Sequence, residues 1–272
     1  MTIIAAESHS LEIAESSQIS TSLRLLSYNI QVGIATKGLR EYITQSWKHV
    51  LPHAQIYENL DRIAKLVSNY DVVALQEVDG GSLRSSFINQ TEYLAKRGFF
   101  PFWFHQINRN LGHFAQHSNG LLSRYKPAEI VDYKLPGLIP GRGAMMVRYG
   151  EEANPLILII IHLALGQKTR HRQLSSIREI IKNYKHVVVM GDMNCQPNSP
   201  EMTDLLKKTE LCEPTHGLKT FPSWRPTRKI DHILVSSSLT VSDVHVLNYP
   251  FSDHLPIAMD IHIPEGIKFA SN

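Results

Sequence analysis

The chain has 272 residues and is 43% hydrophobic, enough for one large core, and no Pro/Gly/Ser-rich linker or internal repeat divides it. Lys and Arg number 28 against 25 Asp and Glu, and the resulting formal charge of +3 neither demands a nucleic-acid partner nor excludes one. The two cysteines, Cys195 and Cys212, form neither a CxxC pair nor a Cys/His zinc spacing, which argues against a structural zinc.

Met1 to Ser22 lacks a basic start and a continuous apolar stretch. It reads as a flexible tail over residues 1–22 rather than a secretory leader, ahead of a single domain over 23–272. Leu23 to Ile30 (LRLLSYNI) is the first predicted strand, with Asn29 near its C-terminal end. The long connection that follows carries Tyr42, Trp47, His49 and His53, and either covers a cleft or packs its aromatics inward. Gln55 to Asn69 predicts an amphipathic helix, because Ile56, Leu60, Ile63, Ala64 and Val67 fall at helical spacing. Asp71 to Val78 (DVVALQEV) is the second strand, and Glu77 stands at its end. A carboxylate there is costly unless paired or bound to a metal, and oxygen ligands suit Mg²⁺ or Mn²⁺.

A helix is predicted over Ser85 to Arg97, a strand over Phe99 to Gln106, and a polar loop over Asn108 to His117 with Arg109, His113 and His117. Ser118 to Ser123 resumes a strand that contains Asn119. Arg142 sits between two glycines in the loop Pro136 to Gly143, where a guanidinium suits a phosphate as well as plain solvent. Leu156 to His162 (LILIIIH) is a buried strand that ends in a histidine, too short in its apolar part to span a bilayer. A helix carrying Leu174, Ile177, Ile180 and Ile181 follows.

His186 to Asn194 (HVVVMGDMN) then gives an apolar, β-branched run, ended by Gly191 and followed by Asp192 and Asn194. An acid and an amide raised from such a strand tip can hold a water, a metal or a phosphate oxygen, or can simply make a polar turn. Ser199 to Lys208 reads as a helix. The loop Phe221 to Pro226, braced by Pro222 and Pro226, presents Trp224 and Arg225, an aromatic and a cation that can stack on a base or pack on a headgroup. Trp224 can equally plug the core beneath the loop. The strand Ile230 to Val235 has Asp231 near its start, and Ser252 to Pro256 (SDHLP) precedes the strand Ile257 to Ile263. In that turn a carboxylate from elsewhere in the fold can orient the His254 imidazole.

SYNI (27–30), QEV (76–78), IHL (161–163), GDMN (191–194), IDHI (230–233) and SDHLP (252–256) stand in this order over nearly the whole chain. In this the sequence resembles the endonuclease/exonuclease/phosphatase superfamily, with its deoxyribonuclease I-like and exonuclease III-like fold. The resemblance implies a four-layer α/β/β/α sandwich of two mixed β-sheets flanked by helices, with strand-end loops gathered at one rim. It implies a metal site at Glu77 with help from Asn29, with Asp253 at that site or supporting its neighbour, and Mg²⁺ or Mn²⁺ as cofactor. It implies that Asp192 acts on the attacking water, that Asn194 holds the phosphate, and that His162 and His254 stabilise the transition state. Asp231 would orient one of those two histidines. Asn119, in SNGLLSRY, resembles the family's Asn-containing strand. Gln31 stands where several family nucleases have an acid, which argues against a second tightly held metal.

The implied activity is metal-dependent phosphoester hydrolysis, with nuclease action on DNA or RNA as the first reading. A phospholipid, phosphoinositide or sphingomyelinase-like hydrolase with peripheral membrane contact is the alternative, and a catalytically silent binding module is the third. A cytoplasmic monomer acting on a phosphoester is expected.

Overall fold

The computed structural model describes residues 22–33, 53–81, 88–110, 116–137, 142–214 and 217–270. Its described strands form two six-stranded sheets. The first runs in the order β11 (Val241–Val246), β12 (Ile257–His262), β1 (Ser22–Asn29), β2 (Val72–Asp79), β4 (Gln116–Ser123), β3 (Phe102–Asn110). The second runs β5 (Glu129–Lys134), β6 (Gly143–Tyr149), β7 (Leu156–His162), β8 (His186–Asp192), β10 (Asp231–Ser236), β9 (Leu211–Cys212).

Both sheets are mixed, and each contains one parallel pair. β1 lies parallel to β2, and β7 lies parallel to β8. A parallel pair needs a crossover. Helix α1 (His53–Val67) lies in the connection between the first pair, and α3 (Gln167–Ile181) between the second. Two shorter α-helices, α2 (Gln90–Gly98) and α4 (Pro200–Lys207), and a single 3-10 turn over Gln31–Gly33 complete the described helical set.

Three apolar clusters explain the layering. Leu25, Ala74 and Leu121 of the first sheet meet Leu158, Met190 and Ile233 of the second in the central core. Alternate residues of the same strands point outward. Val73 and Leu75 pack on Leu60 and Ile63 of α1, and Ile159 and Val189 pack on Leu174 and Ile177 of α3. The central strands are thus covered on both faces, which is why they read as unbroken apolar runs. Each such side chain taken from water contributes roughly 1.5–3 kcal/mol. The architecture is the expected α/β/β/α sandwich.

Several boundaries differ from the sequence reading. The helix expected from Ser85 begins at Gln90, where the Asn89 side chain accepts from the Glu92 N–H at 3.2 Å and caps it. Residues 82–87 and the 34–52 connection lie outside the described residues, as do the tail before Ser22 and the side chains of Arg109, His113 and His117. Backbone pairing carries β3 on to Asn110 and starts β4 at Gln116, so the loop expected over 108–117 is shorter than its polar composition indicated. Gly191 does not end its strand. It pairs with Ile161 and His232 inside the sheet at φ 145°, and a Cβ there would come 1.9 Å from the Ile161 carbonyl oxygen. The glycine lets β7 approach while the strand continues to Asp192. Both cysteines are free thiols.

Candidate active site

Polar residues collect at the C-terminal ends of the two parallel pairs, where α/β sheets characteristically bind ligands. Asn29 is the register partner of Gln76 at the tip of β1–β2, and His162 is the partner of Asp192 at the tip of β7–β8. β10 is antiparallel to β8, so its first residue, Asp231, falls opposite Asp192. The 252–255 turn delivers Asp253 and His254 just before β12 begins.

Glu77 reaches the rim through a break in the strand. β2 pairs Leu75 with Gly120 and Val78 with Ser118, so Gln76 and Glu77 together face the single residue Asn119. This is a β-bulge, and Glu77 adopts φ 55° within it. Left-handed backbone costs a non-glycine residue about 1–2 kcal/mol, and bulges of this kind re-aim side chains beside functional sites. Gln76 stays wholly buried, with its Nε2 donating to the Ala74 carbonyl at 3.3 Å.

Asp192 is the hub and is 2% exposed. Its Oδ1 accepts from the Asn194 backbone N–H at 2.9 Å, and its Oδ2 accepts from Asn29 Nδ2 at 3.1 Å. His162 Nε2 lies 3.4 Å from that Oδ2 and 3.8 Å from Glu77 Oε1. His254 Nε2 lies 3.9 Å from the same Asp192 oxygen. Burial pushes the Asp192 carboxyl up to about 7; the His254 charge opposes this, and Asp231 and Glu77 add to it.

His254 holds its other nitrogen, Nδ1, 2.9 Å from Asp231 Oδ2 and 3.1 Å from Oδ1. Burial alone would favour the neutral ring. The charge and hydrogen bond of Asp231 outweigh it, helped by Asp192 and Asp253, and raise the imidazole to about 10. Nδ1 therefore carries a proton, and Nε2 is directed at Asp192. Of the two histidines the sequence offered as partners for Asp231, the structure pairs it with His254.

Glu77 and Asp253 are the acids that this network engages least, since neither accepts a hydrogen bond from a described side chain. Asp253 is buried, and burial, with the Glu77 and Asp231 charges added, raises it to about 6. Ligand atoms of Asp192, Asp231 and His254 also lie within 4.8 Å of one another. This donor set is mainly carboxylate oxygen, and its mutual repulsion is what a hard divalent cation offsets, so the residues present fit such an ion. Both ends of the Asn29 amide are engaged within the protein, because its Oδ1 accepts from the Gln31 N–H at 3.1 Å.

The remaining candidates fall in different settings. Asn194 Nδ2 donates to the Leu163 carbonyl at 3.0 Å and lies 3.4 Å from Asp192 Oδ2, tying the β7 and β8 tips together. Asn119 is fully buried. Its Nδ2 donates to Gln106 Oε1 and to the Gly143 carbonyl, both at 3.3 Å, and its Oδ1 has no hydrogen-bond partner among the described residues. That contact brings it beside the backbone next to Arg142, which is half-buried immediately before β6. Trp224 is half-buried and Arg225 exposed. Their loop is fastened to the His254 turn: Ser223 N–H donates to the Asp253 carbonyl at 2.7 Å, Ser223 Oγ donates to the Ser252 carbonyl at 2.6 Å, and the Phe221 ring packs 4.9 Å from the His254 ring.

Two supporting groups escaped the sequence reading. Ser252 Oγ donates to the Asn29 carbonyl at 2.6 Å and accepts from the His254 N–H at 3.0 Å, joining the tips of β1 and the 252–255 turn. Buried Arg170 pairs with Glu201 at 2.7 Å and donates to the Leu165 carbonyl, bracing the turn that follows His162. Within the SDHLP motif the serine was the available signal. Arg170 had no signal beyond its place at a helix start.

The sequence model of the endonuclease/exonuclease/phosphatase family matches residues 26–254. No curated protein sequence matches significantly. Among solved structures, an endonuclease/exonuclease/phosphatase from Beutenbergia cavernae is 19% identical, with TM-score 0.69 over 89% of this chain and 72% of its own. A mannosyl-6-phosphatase from Bacteroides thetaiotaomicron is 18% identical, with TM-score 0.64 over 89% of this chain and all of its own. TDP2 from D. rerio, solved with a single-strand DNA product, is 18% identical, with TM-score 0.65 over 90% of this chain and all of its own. At these identities the likeness is one of fold.

Proposed function

The chain belongs to the endonuclease/exonuclease/phosphatase family, whose members hydrolyse phosphoester bonds, and from that premise we propose that it is a divalent-metal-dependent phosphodiesterase acting on nucleic acid. The observation that carries this reading is the meeting of Asp192 with His162, His254 and Asn29 at one rim, beside the less engaged acids Glu77 and Asp253. A phosphodiester is anionic and repels a nucleophile, so its hydrolysis needs cationic donors and a carboxylate to take a proton from water.

In this reading Glu77 and Asp253 hold the ion, with Asn29 supporting the site through Asp192. A bound divalent ion supplies Lewis-acid stabilisation of charge at the phosphate. Asp192, whose proton affinity sits near neutrality, orients the water and accepts its proton. His254, protonated and held by Asp231, donates to a phosphate oxygen, and His162 contacts another. Trp224 and Arg225 face the rest of the substrate. Of the structures above, D. rerio TDP2 was solved with a DNA product, which supports nucleic acid as the substrate class.

The test is an activity screen of purified protein in Mg²⁺ and in Mn²⁺ against single- and double-stranded DNA, RNA, sphingomyelin, inositol phosphates and mannose 6-phosphate. Turnover of DNA or RNA that chelation abolishes supports the reading. Turnover of only a lipid, an inositol phosphate or the sugar phosphate overturns the substrate class and leaves the catalytic site.

A further inference from the structure

Thr220 is fully buried, at the head of the loop that packs on His254. Its backbone is fixed on both sides. The N–H donates to the Arg228 carbonyl at 3.0 Å, and the carbonyl accepts from the Leu255 N–H at 2.8 Å. The Thr220 hydroxyl donates to Asp231 Oδ2, the same oxygen that lies 2.9 Å from His254 Nδ1.

The directions of these bonds are determined. The Thr220 O–H donates to Asp231 Oδ2, and the His254 Nδ1–H faces the same carboxylate. Sheet register fixes the Asp231 backbone opposite Asp192, but not the rotation of its carboxylate, which is a broad two-fold torsion. His254 does not remove that freedom, because its Nδ1 lies nearly as close to Oδ1, 3.1 Å, as to Oδ2. The Thr220 hydroxyl does remove it, by binding one oxygen from a rigid backbone. The Leu255 bond ties that backbone to the residue after His254, so all three groups share one frame.

We propose that Thr220 is a positioning residue: its hydroxyl fixes the Asp231 carboxylate so that the His254 imidazole presents Nε2 to the reacting phosphate. This rests on the reading that His254 acts on a phosphoester. A hydrogen bond to a charged group lost in this way corresponds to about a ten- to hundredfold loss of rate.

The experiment compares the wild type with Thr220→Val, Thr220→Ser and Asp231→Asn. The readouts are kcat and KM on bis-p-nitrophenyl phosphate in Mg²⁺, the melting temperature, and the NMR resonance of the His254 Nδ1 proton. Thr220→Val is expected to lower kcat by about ten- to hundredfold with KM unchanged, and to shift that resonance. Thr220→Ser is expected to restore both. A Val variant with wild-type kcat and an unshifted resonance overturns the proposal, and so does a Ser variant as impaired as the Val variant. If the Val variant does not fold, Thr220→Cys, a weak donor in the same space, is compared with Ser in its place.

The Asp231→Asn variant separates the two levels of inference. If it is fully active, the reading of His254 fails. If it is inactive while Thr220→Val is not, only the role of Thr220 fails. A wild type inert toward the probe fails the parent reading, and the resonance comparison then decides Thr220 alone.

Discussion

Asp192 and Asp231 are register partners across the β8–β10 pair, both 2% exposed, and the His254 ring spans them with Nδ1 at 2.9 Å from Asp231 and Nε2 at 3.9 Å from Asp192. Two buried carboxylates this near each other need a cation between them. Asp192→Asn and His254→Ala are each expected to cost about a thousandfold or more in turnover, and the double variant little beyond the worse single one. Turnover and melting curves on the four proteins check this; simple additivity would show that the two residues do not act as a unit.

Glu77 occupies a left-handed bulge of β2. Glu77→Gln keeps the shape and removes the charge. Titration calorimetry with Mg²⁺ and Mn²⁺ is expected to show affinity weakened about tenfold or more, with activity falling in parallel. Undiminished activity in metal-free buffer would refute a metal role for Glu77.

Behind β10, Glu213 lies 2.7 Å from Lys229 and is hydrogen-bonded to His232 Nδ1, while His232 Nε2 donates to the Cys195 carbonyl at 2.8 Å. Burial would raise the Glu213 carboxyl, but His232 and then Lys229 outweigh it and hold it at about 2 instead of the usual 4.5. The folded protein therefore binds fewer protons here than the unfolded chain. The stability from this group is complete above about pH 4.5 and is lost as the pH falls toward 2. Glu213→Gln is expected to lower stability at pH 7 by about 3–5 kcal/mol and to flatten the acid limb in that window. Urea denaturation from pH 7 to 2 measures both, and equal slopes for the two proteins would count against the assignment.

The loop 221–226 is anchored by Ser223 yet leaves Arg225 exposed. Trp224→Ala with Arg225→Ala is expected to raise KM for a nucleic-acid substrate by about five- to hundredfold, the strength of one stacked base. Hydrolysis of bis-p-nitrophenyl phosphate is expected to stay unchanged. Equal loss on both substrates, together with earlier melting, would make the loop purely structural.

Glu77, His162 and Asp192 were legible in the sequence because each ends an apolar run, which marks a strand tip. Asp231 instead begins its strand, Asp253 and His254 precede theirs, and these three were picked out by the IDHI and SDHLP motifs. Glu77 was found, but the bulge that aims it was not, since nothing in QEV separates a bulge from a regular strand end. Four strands, β5, β6, β9 and β11, were not predicted, and β9 is only two residues long. β5 and β11 are edge strands with no fully buried side chain, so they lack the apolar run that marks a strand. β6, GAMMVRY, is apolar but follows a glycine-rich loop that obscured its start. Thr220 and Arg170 act through partners 11 and 31 residues away, a distance at which sequence spacing carries no signal.

The strand order β11-β12-β1 has a consequence for synthesis. β1 is made early, yet one of its edges pairs only with β12, residues 257–262. While the chain emerges from the ribosome, that edge stays open through the whole second sheet and is available to any other nascent strand. His254 arrives just ahead of the strand that closes it. On the proposed role of His254, a chain interrupted before residue 252 would therefore be inert and adhesive at once, so catalytic competence and protection from aggregation would be gained together, within a few residues of elongation.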